Sequence, residues 1–112
     1  MNSLINLGFS IEEMQMLMDT NVLLKNIGEN QIQKHLSILE KYGCLEKDII
    51  NIITCNPFYF NNDSKEVENV LKYISKIVYP IKSLINTNPF ILNKTLEEVK
   101  ELDINELIYN MG

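Results

Sequence analysis

Arginine, alanine and tryptophan are absent from this 112-residue sequence, and it contains a single histidine, His35. All ten basic residues are therefore lysines, which lack the planar donor fork with which arginine holds phosphate groups and guanine. One histidine leaves little material for acid–base catalysis or metal binding. The sequence also lacks a glycine-rich phosphate loop and an HExxH pattern. We therefore expect a protein that is not an enzyme and holds neither a metal nor another cofactor.

Long apolar runs and closely spaced cysteines are missing as well. The apolar runs are only a few residues long, whereas a membrane-spanning helix needs about 20. Met1 to Gly8 lacks the basic segment of a signal peptide. Cys44 and Cys55 lie eleven positions apart without a CxxC motif, which favours two reduced thiols over a disulfide or a metal site. These absences predict a cytoplasmic protein that does not contact a membrane.

The sequence does contain a series of helix-start signals, each followed by apolar residues at helical spacing. The predicted capping boxes are Ser10 with Glu13, Asp63 with Glu66, and Thr95 with Glu98. The predicted helices span about 11–18, 29–42, 46–55, 64–77, 81–87, 96–101 and 104–110. The expected inward face of helix 64–77 consists of Val67, Val70, Leu71, Ile74 and Ile77. Gly43 is placed to end helix 29–42 in a left-handed conformation, and Leu23 and Leu24 are expected to be buried in the preceding connection.

Helix 46–55 ends at Asn56-Pro57, because proline cannot continue a helix and disfavours helical geometry at the residue before it. The aromatic run Phe58 to Phe60 is predicted to be a 3₁₀ segment that packs on the core, with Phe58 and Phe60 joining one repeat to the next. Asn88-Pro89-Phe90 repeats the same stop. The two stops are expected to share one backbone conformation and to pack on the start of the helix that follows each of them.

The similarity between the two Asn-Pro stops is part of an internal repeat. A shift of 32 residues aligns 49–67 with 81–99 and gives eight identities in nineteen positions, and a shift of 35 aligns the apolar positions of 4–42 with those of 39–77. A period in the thirties made of helix, turn and helix predicts an all-α fold, a short α-solenoid of about three repeats. We place the repeats at about 10–43, 44–78 and 79–102, followed by a short carboxyl-terminal helix at 103–110, in a single domain that covers 1–112.

The pattern resembles the repeat of the mitochondrial transcription termination factor (mTERF) family, in which a proline just after one helix is followed by large apolar residues. The matching positions are Asn56, Pro57, Phe58, Phe60, Asn88, Pro89, Phe90 and Leu92. The first unit has Asn21-Val22-Leu23-Leu24 and lacks the proline. The resemblance implies a curved, right-handed helical stack that binds nucleic acid along a basic concave face.

The charge distribution favours a protein partner over nucleic acid. The net charge is −5, and about −2, −1 and −2 fall on residues 1–38, 39–77 and 78–112, whereas nucleic-acid affinity needs clustered cations. The strongest candidate for nucleic-acid contacts is a basic strip around the second repeat, formed by Lys41, Lys47, Lys65, Lys72 and Lys76. We expect a binding module for a protein partner or for a second copy, with a nucleic-acid-binding regulator as the alternative.

Three further expectations concern single side chains. His35 aligns with Val70 on the inward face of its helix, which predicts a core histidine. Tyr59, Tyr73 and Tyr79 are the aromatic residues that the pattern does not place in the core, and exposed tyrosines are typical of interfaces. The apolar ends of the chain either cover its own core or meet a partner. These ends consist of Leu4, Ile5 and Leu7 at one side and Leu107, Ile108, Tyr109 and Met111 at the other.

Overall fold

A computed structural model describes residues 2–111 of the chain, and the side chains of residues 2–109. Within this range the protein is all-helical and contains no strand. The helices are α1 (Asn2–Leu7), α2 (Ile11–Thr20), α3 (Glu29–Lys41), α4 (Glu46–Cys55), α5 (Ser64–Ser75), α6 (Lys82–Thr87), α7 (Leu96–Glu101) and α8 (Ile104–Met111). Three 3₁₀ segments lie at Leu24–Asn26, Pro57–Asn61 and Pro89–Asn93. Every predicted helix is present, and the expected 3₁₀ segment after Asn56 is confirmed.

Two of the three predicted capping boxes are confirmed. Ser10 Oγ accepts from the Glu13 amide at 3.1 Å while Glu13 accepts from the Ser10 amide at 2.9 Å, and Thr95 with Glu98 does the same at 3.2 and 2.9 Å. These hydrogen bonds from the cap residue lower the pKa of Glu13 and of Glu98. The box predicted at Asp63 is wrong.

Glu66 was expected to complete the box at Asp63 but makes a different contact. Its Oε1 accepts from the Leu96 amide at 2.8 Å, and Asp63 makes no side-chain capping bond. The Leu96 amide belongs to the first turn of α7, where backbone donors have no partner within the helix. Glu66 therefore caps a neighbouring helix and joins α5 to α7.

Two glycines end helices at positions that the 35-residue shift aligns with each other. Gly43 has a φ of +91° and follows α3, and Gly8 has a φ of +125° and follows α1. Other residues rarely adopt such angles, since a side chain would clash with the backbone. The prediction of a left-handed residue at Gly43 is confirmed.

The helices pack in two alternating series. In one series α3 contacts both α1 and α5, and α5 contacts α7; in the other, α6 contacts α4 and α8. The 3₁₀ segments contact one another in chain order along the molecule. Four sets of equivalent positions in the two shifts are buried throughout. The fully or almost fully buried sets are Met14, Ile49 and Ile81; Leu17, Ile52 and Leu84; Leu24, Tyr59 and Ile91; and Ile32, Val67 and Val99.

Several predicted orientations are wrong around the 3₁₀ segments and the end of α5. Leu23 and Phe58 are exposed, while Leu24 and Phe60 are buried as expected. Tyr59, which the pattern did not place in the core, has no exposed surface. In a 3₁₀ segment with three residues per turn, only part of a run of adjacent aromatic residues can face inward. Tyr73 is half-buried, and Tyr79 and Ile77 are exposed, because α5 ends at Ser75 before Ile77 can join its inward face.

The apolar ends of the chain contribute in part to the core. Leu4 is buried where α1 packs on α3, Leu7 is half-buried, and Ile5 is exposed. At the other end, where α8 packs on α6, Leu107 and Ile108 are half-buried and Tyr109 is exposed. The side chain of Met111 lies outside the described residues. Among residues 2–111, no helix has the length and apolar character needed to cross a membrane.

Candidate functional site

Two buried asparagines, Asn21 and Asn56, each reach from one copy of the repeated pattern to the next. Asn21 follows α2, and its Nδ2 donates to the Pro57 carbonyl and to Asn61 Oδ1, both at 3.0 Å. Asn61 Nδ2 donates back to Asn21 Oδ1 at 3.2 Å. The two carboxamides thus form a reciprocal pair, which uses the donor and acceptor capacity that burial would otherwise leave unpaired.

Asn56 makes the same contacts one unit later. Its Nδ2 donates to the Pro89 carbonyl and to Asn93 Oδ1, both at 3.0 Å, and Asn93 Nδ2 donates back at 2.9 Å. Asn88 is the equivalent residue of the third unit, but it is half-buried, and its Nδ2 donates to the Leu84 carbonyl of its own helix at 3.1 Å. We call the two reciprocal pairs, Asn21 with Asn61 and Asn56 with Asn93, the asparagine ladder.

The ladder was not predicted, although the sequence carries a signal for it. Asparagines recur five positions apart in all three units, as Asn21 with Asn26, Asn56 with Asn61, and Asn88 with Asn93. In the structure the first asparagine of one such pair bonds the second asparagine of the next unit. The recurring spacing therefore includes the four residues of the ladder, together with Asn26 and Asn88, which take no part in it.

The two Asn-Pro stops have nearly the same backbone conformation. Asn56 has φ −137° and ψ 74°, and Asn88 has φ −129° and ψ 62°, and each is followed by a five-residue 3₁₀ segment that begins at proline. That prediction is confirmed. The helix that follows each segment, on which packing is expected, is not among the main contacts of that segment. The main helix contacts of Pro57–Asn61 are with α3 and α4, and those of Pro89–Asn93 are with α4, α5 and α6.

Three large apolar side chains at equivalent repeat positions point to solvent. Leu23, Phe58 and Phe90 each lie two residues after the repeat asparagine, and they are 56%, 40% and 56% exposed. Phe58 is therefore not packed inside the core as expected, whereas Phe60 is buried as expected, and Leu92 is buried as well. We call Leu23, Phe58 and Phe90 the apolar row.

An open cavity of about 470 Å³ adjoins the last member of the row. Its lining includes Phe90 and Pro89 together with Cys55, Leu102 and Leu107. A smaller cavity of about 180 Å³ lies one unit earlier and is lined by Met16, Thr20, Thr54 and Pro57, among others. Thr20 and Pro57 correspond to Cys55 and Pro89 in the repeat, so the same notch recurs where one helix of the pattern ends against the next unit.

A basic groove lies between α3 and α5. It has a volume of about 510 Å³ and is lined by Lys34, Lys41, Lys65 and Lys72, with Tyr42, Ser64, Glu68 and Asn69. Three lysines of the predicted basic strip, Lys41, Lys65 and Lys72, come together here. Lys47 lies on α4 and Lys76 follows α5, and neither lines the groove. Lys34 was missed, because only the packing of α3 on α5 brings it to the others.

His35 is a core residue, as predicted. Its ring is almost fully buried, Nδ1 lies 2.8 Å from the Gln31 carbonyl, and Nε2 lies 2.7 Å from the Asn62 carbonyl. The ring packs edge-on against Tyr59 with 5.1 Å between centroids, and the Tyr59 hydroxyl donates to the His35 carbonyl at 2.6 Å. Burial raises the pKa of Tyr59. His35 therefore ties α3 to the Pro57–Asn61 segment, and it lies in the lining of a polar trough beside Asn62.

The two cysteines occupy different environments and are both free thiols. Cys44 is buried, and desolvation raises its pKa to about 11, which suppresses the reactive thiolate. Cys55 is exposed at the rim of the larger cavity. Within the described part of the chain, no group of three or more histidine, cysteine or acidic residues is arranged to hold a metal ion.

Comparisons with known proteins give little further information about this site. The sequence is 32% identical over 71 residues to the trigger factor of Ehrlichia canis (strain Jake), a match that covers 63% of this chain but 16% of the relative. The chain thus spans about one sixth of the curated relative that it matches. No protein-family model matches the sequence, and no solved structure matches it.

Proposed function

We propose that this chain is a short α-solenoid of three repeats that acts as a non-enzymatic binding module for a protein partner. The solenoid is supported by the order of helix contacts, by the equivalent buried positions, and by the asparagine ladder, in which equivalent residues make equivalent bonds between units. In such a stack each unit buries its apolar side only against its neighbours.

The observation that carries the proposed function is the apolar row. Leu23, Phe58 and Phe90 are exposed at the same position of consecutive 3₁₀ segments, and those segments contact one another in order. Exposure of one leucine and two phenylalanines on one edge costs about 25 cal/mol per Å² of apolar surface left in water. The leucine belongs to the unit that lacks the proline. Large aromatic side chains are also enriched at protein interfaces. The edge therefore suits an apolar surface of another protein.

A site-specific photocrosslinking experiment tests this proposal. A photoreactive amino acid replaces Phe58 or Phe90 in the full chain, and a third variant carries it at Ile11, which is 82% exposed and lies outside the row. We expect crosslinks to a defined protein from positions 58 and 90, and none from position 11. The identified partner is then titrated against Phe58→Ser with Phe90→Ser, and against Ile11→Ser as the matched control.

The proposal fails on two results. Equal crosslinking from Ile11 and from the row would show unspecific contact with exposed apolar residues. No crosslinked product from any position, together with a monomer in sedimentation equilibrium over a wide concentration range, would also contradict it. A crosslinked second copy supports binding through the row and identifies the partner as the chain itself.

Nucleic-acid binding is the second candidate, and the basic groove is the observation that favours it, since it gathers Lys41, Lys65 and Lys72 with Lys34. A mobility-shift assay with single- and double-stranded nucleic acid over a salt series tests it. We expect weak binding at physiological salt, because the net charge is −5 and arginine is absent. Tight binding with a steep salt dependence would favour the regulator that the mTERF resemblance implies.

A further inference from the structure

The lysine groove between α3 and α5 concentrates positive charge in an acidic protein. Four of the ten lysines line it, in a chain of net charge −5. Among the described residues that line the groove, Glu68 is the only acidic one, and its Oε2 lies 3.4 Å from Lys41 Nζ. Lys34, Lys65 and Lys72 therefore contribute three positive charges that no acidic residue of the lining offsets.

The groove continues into a neighbouring polar trough of about 520 Å³ that shares Lys34 and Ser64 with it. Four carboxamide side chains line the trough, with Asp63 as its acidic residue. These are Asn30, Gln31, Asn61 and Asn62. Asn61 is used in the asparagine ladder, and the side-chain nitrogens of Gln31 and Asn62 donate to the Phe60 and Tyr59 carbonyls. Asn30 and the side-chain oxygens of Gln31 and Asn62 offer hydrogen-bond partners to a peptide backbone. The combined surface offers ammonium groups in one part and backbone-like partners in the other.

We infer that this surface is a docking site for an acidic, extended segment of another polypeptide. The inference is independent of the apolar row, because none of the residues of the row lines the groove or the trough. Its basis is charge complementarity: a short carboxylate-bearing segment gains local attraction from the lysines, and its backbone meets the amides.

The density of charge favours an acidic peptide over nucleic acid on this surface. A duplex carries one charge per about 1.7 Å, whereas the groove lining supplies four lysines, one of which pairs with Glu68. A peptide with a few carboxylates needs no more cations than the groove supplies.

The lysine spacing specifies the partner further. Lys34 and Lys41 are seven residues apart on α3, and Lys65 and Lys72 are seven apart on α5. Seven residues are about two helical turns, or about 10 Å along the axis. An extended segment in the polyproline II conformation has three residues per turn and advances about 3.1 Å per residue, so carboxylates three residues apart lie on one side and match this spacing. We therefore expect a segment with an acidic residue at every third position.

A fluorescence-anisotropy titration with synthetic peptides tests the inference. The probe is a short labelled peptide with glutamate at every third position and serine or glycine between, and its control has glutamine in place of each glutamate. The groove variant of the full chain is Lys34→Gln with Lys72→Gln. Its matched control is Lys25→Gln with Lys47→Gln, which changes the net charge equally at exposed lysines outside the groove. Circular dichroism verifies that all variants are folded.

We expect saturable binding of the acidic peptide, a loss of about tenfold in the groove variant, and less than a twofold change in the matched control. Equal losses in both variants, or no saturable binding by the unsubstituted chain, would overturn the inference. Tighter binding of an oligonucleotide at the same salt, lost in the groove variant, would overturn it in favour of nucleic acid. A salt-sensitive dimer of the chain that the groove variant abolishes would overturn it in favour of a second copy.

Discussion

Replacement of Asn56 by alanine should remove one half of the asparagine ladder while every other contact between the units stays in place. The side chain has no exposed surface and takes part in three hydrogen bonds with the next unit, two of them from its own Nδ2 and one from Asn93. Each bond contributes about 0.5–1.5 kcal/mol net, and the small void adds to the loss. We expect Asn56→Ala to lower the free energy of unfolding by about 2–4 kcal/mol.

That loss is large beside the total stability of a domain of this size, about 5–15 kcal/mol. Urea denaturation followed by far-ultraviolet circular dichroism measures it, with the free energies taken from linear extrapolation. Asn56→Asp provides a shape-preserving companion. It removes the Nδ2 donor and places a carboxylate beside the Pro89 carbonyl, so we expect it to be at least as destabilising at neutral pH.

The repeat supplies its own control at Asn88. This residue occupies the equivalent position but is half-buried, and its Nδ2 bonds only the Leu84 carbonyl in its own helix. Asn88→Ala should therefore cost about 1 kcal/mol or less. Asn21→Ala should resemble Asn56→Ala, since Asn21 makes the same pair of contacts one unit earlier. The reasoning is refuted if Asn88→Ala is as costly as Asn56→Ala, or if Asn21→Ala and Asn56→Ala both cost less than Asn88→Ala.

Three shorter predictions follow from single side chains. Hydrogen bonds from Ser3 lower the pKa of Glu29 to about 2. The contribution of Glu29 to stability is therefore present above about pH 4.5 and is lost as the pH falls towards 2. As the pH is lowered, urea midpoints should fall less steeply in Glu29→Gln than in the unsubstituted chain. Iodoacetamide should modify Cys55 much faster than Cys44, as peptide mass spectrometry would show, and equal rates would contradict the buried position of Cys44. Tyr59→Phe removes the bond to a backbone carbonyl of α3 and should cost about 1 kcal/mol in urea denaturation, whereas no change would mean that the bond adds nothing net.

The features that the sequence predicts best are those decided by local chemistry. Ser10 with Glu13 lies three residues apart on one turn, and Pro57 affects its immediate neighbours, so helix starts and stops follow from short stretches of sequence. The same holds for Gly43, whose φ of +91° few other residues accept. The identities that suggest a repeat, such as Asn-Pro-Phe at 56–58 and at 88–90, are likewise contained in short stretches of sequence.

The features that the sequence does not predict depend on partners far along the chain. Glu66 is placed to cap its own helix, yet its carboxylate accepts from the amide of Leu96, thirty residues away. Tyr59 is buried while Phe58 is exposed, and the Tyr59 hydroxyl donates to the His35 carbonyl, twenty-four residues away, which compensates the cost of burying a polar group. Periodicity within one helix contains no information about such contacts.

The asparagine ladder also has a consequence for the length of the protein. Pro57 and Asn61 bond Asn21 of the preceding unit, and Asn56 bonds Pro89 and Asn93 of the next unit. The unit 44–78 therefore carries both halves of the connection. On the proposed solenoid, a chain in which this segment is duplicated in tandem should therefore fold into a longer stack without redesign of its contacts. The proposal thus treats the segment as an interchangeable module, whose outward residues can be redesigned separately from the bonds between units.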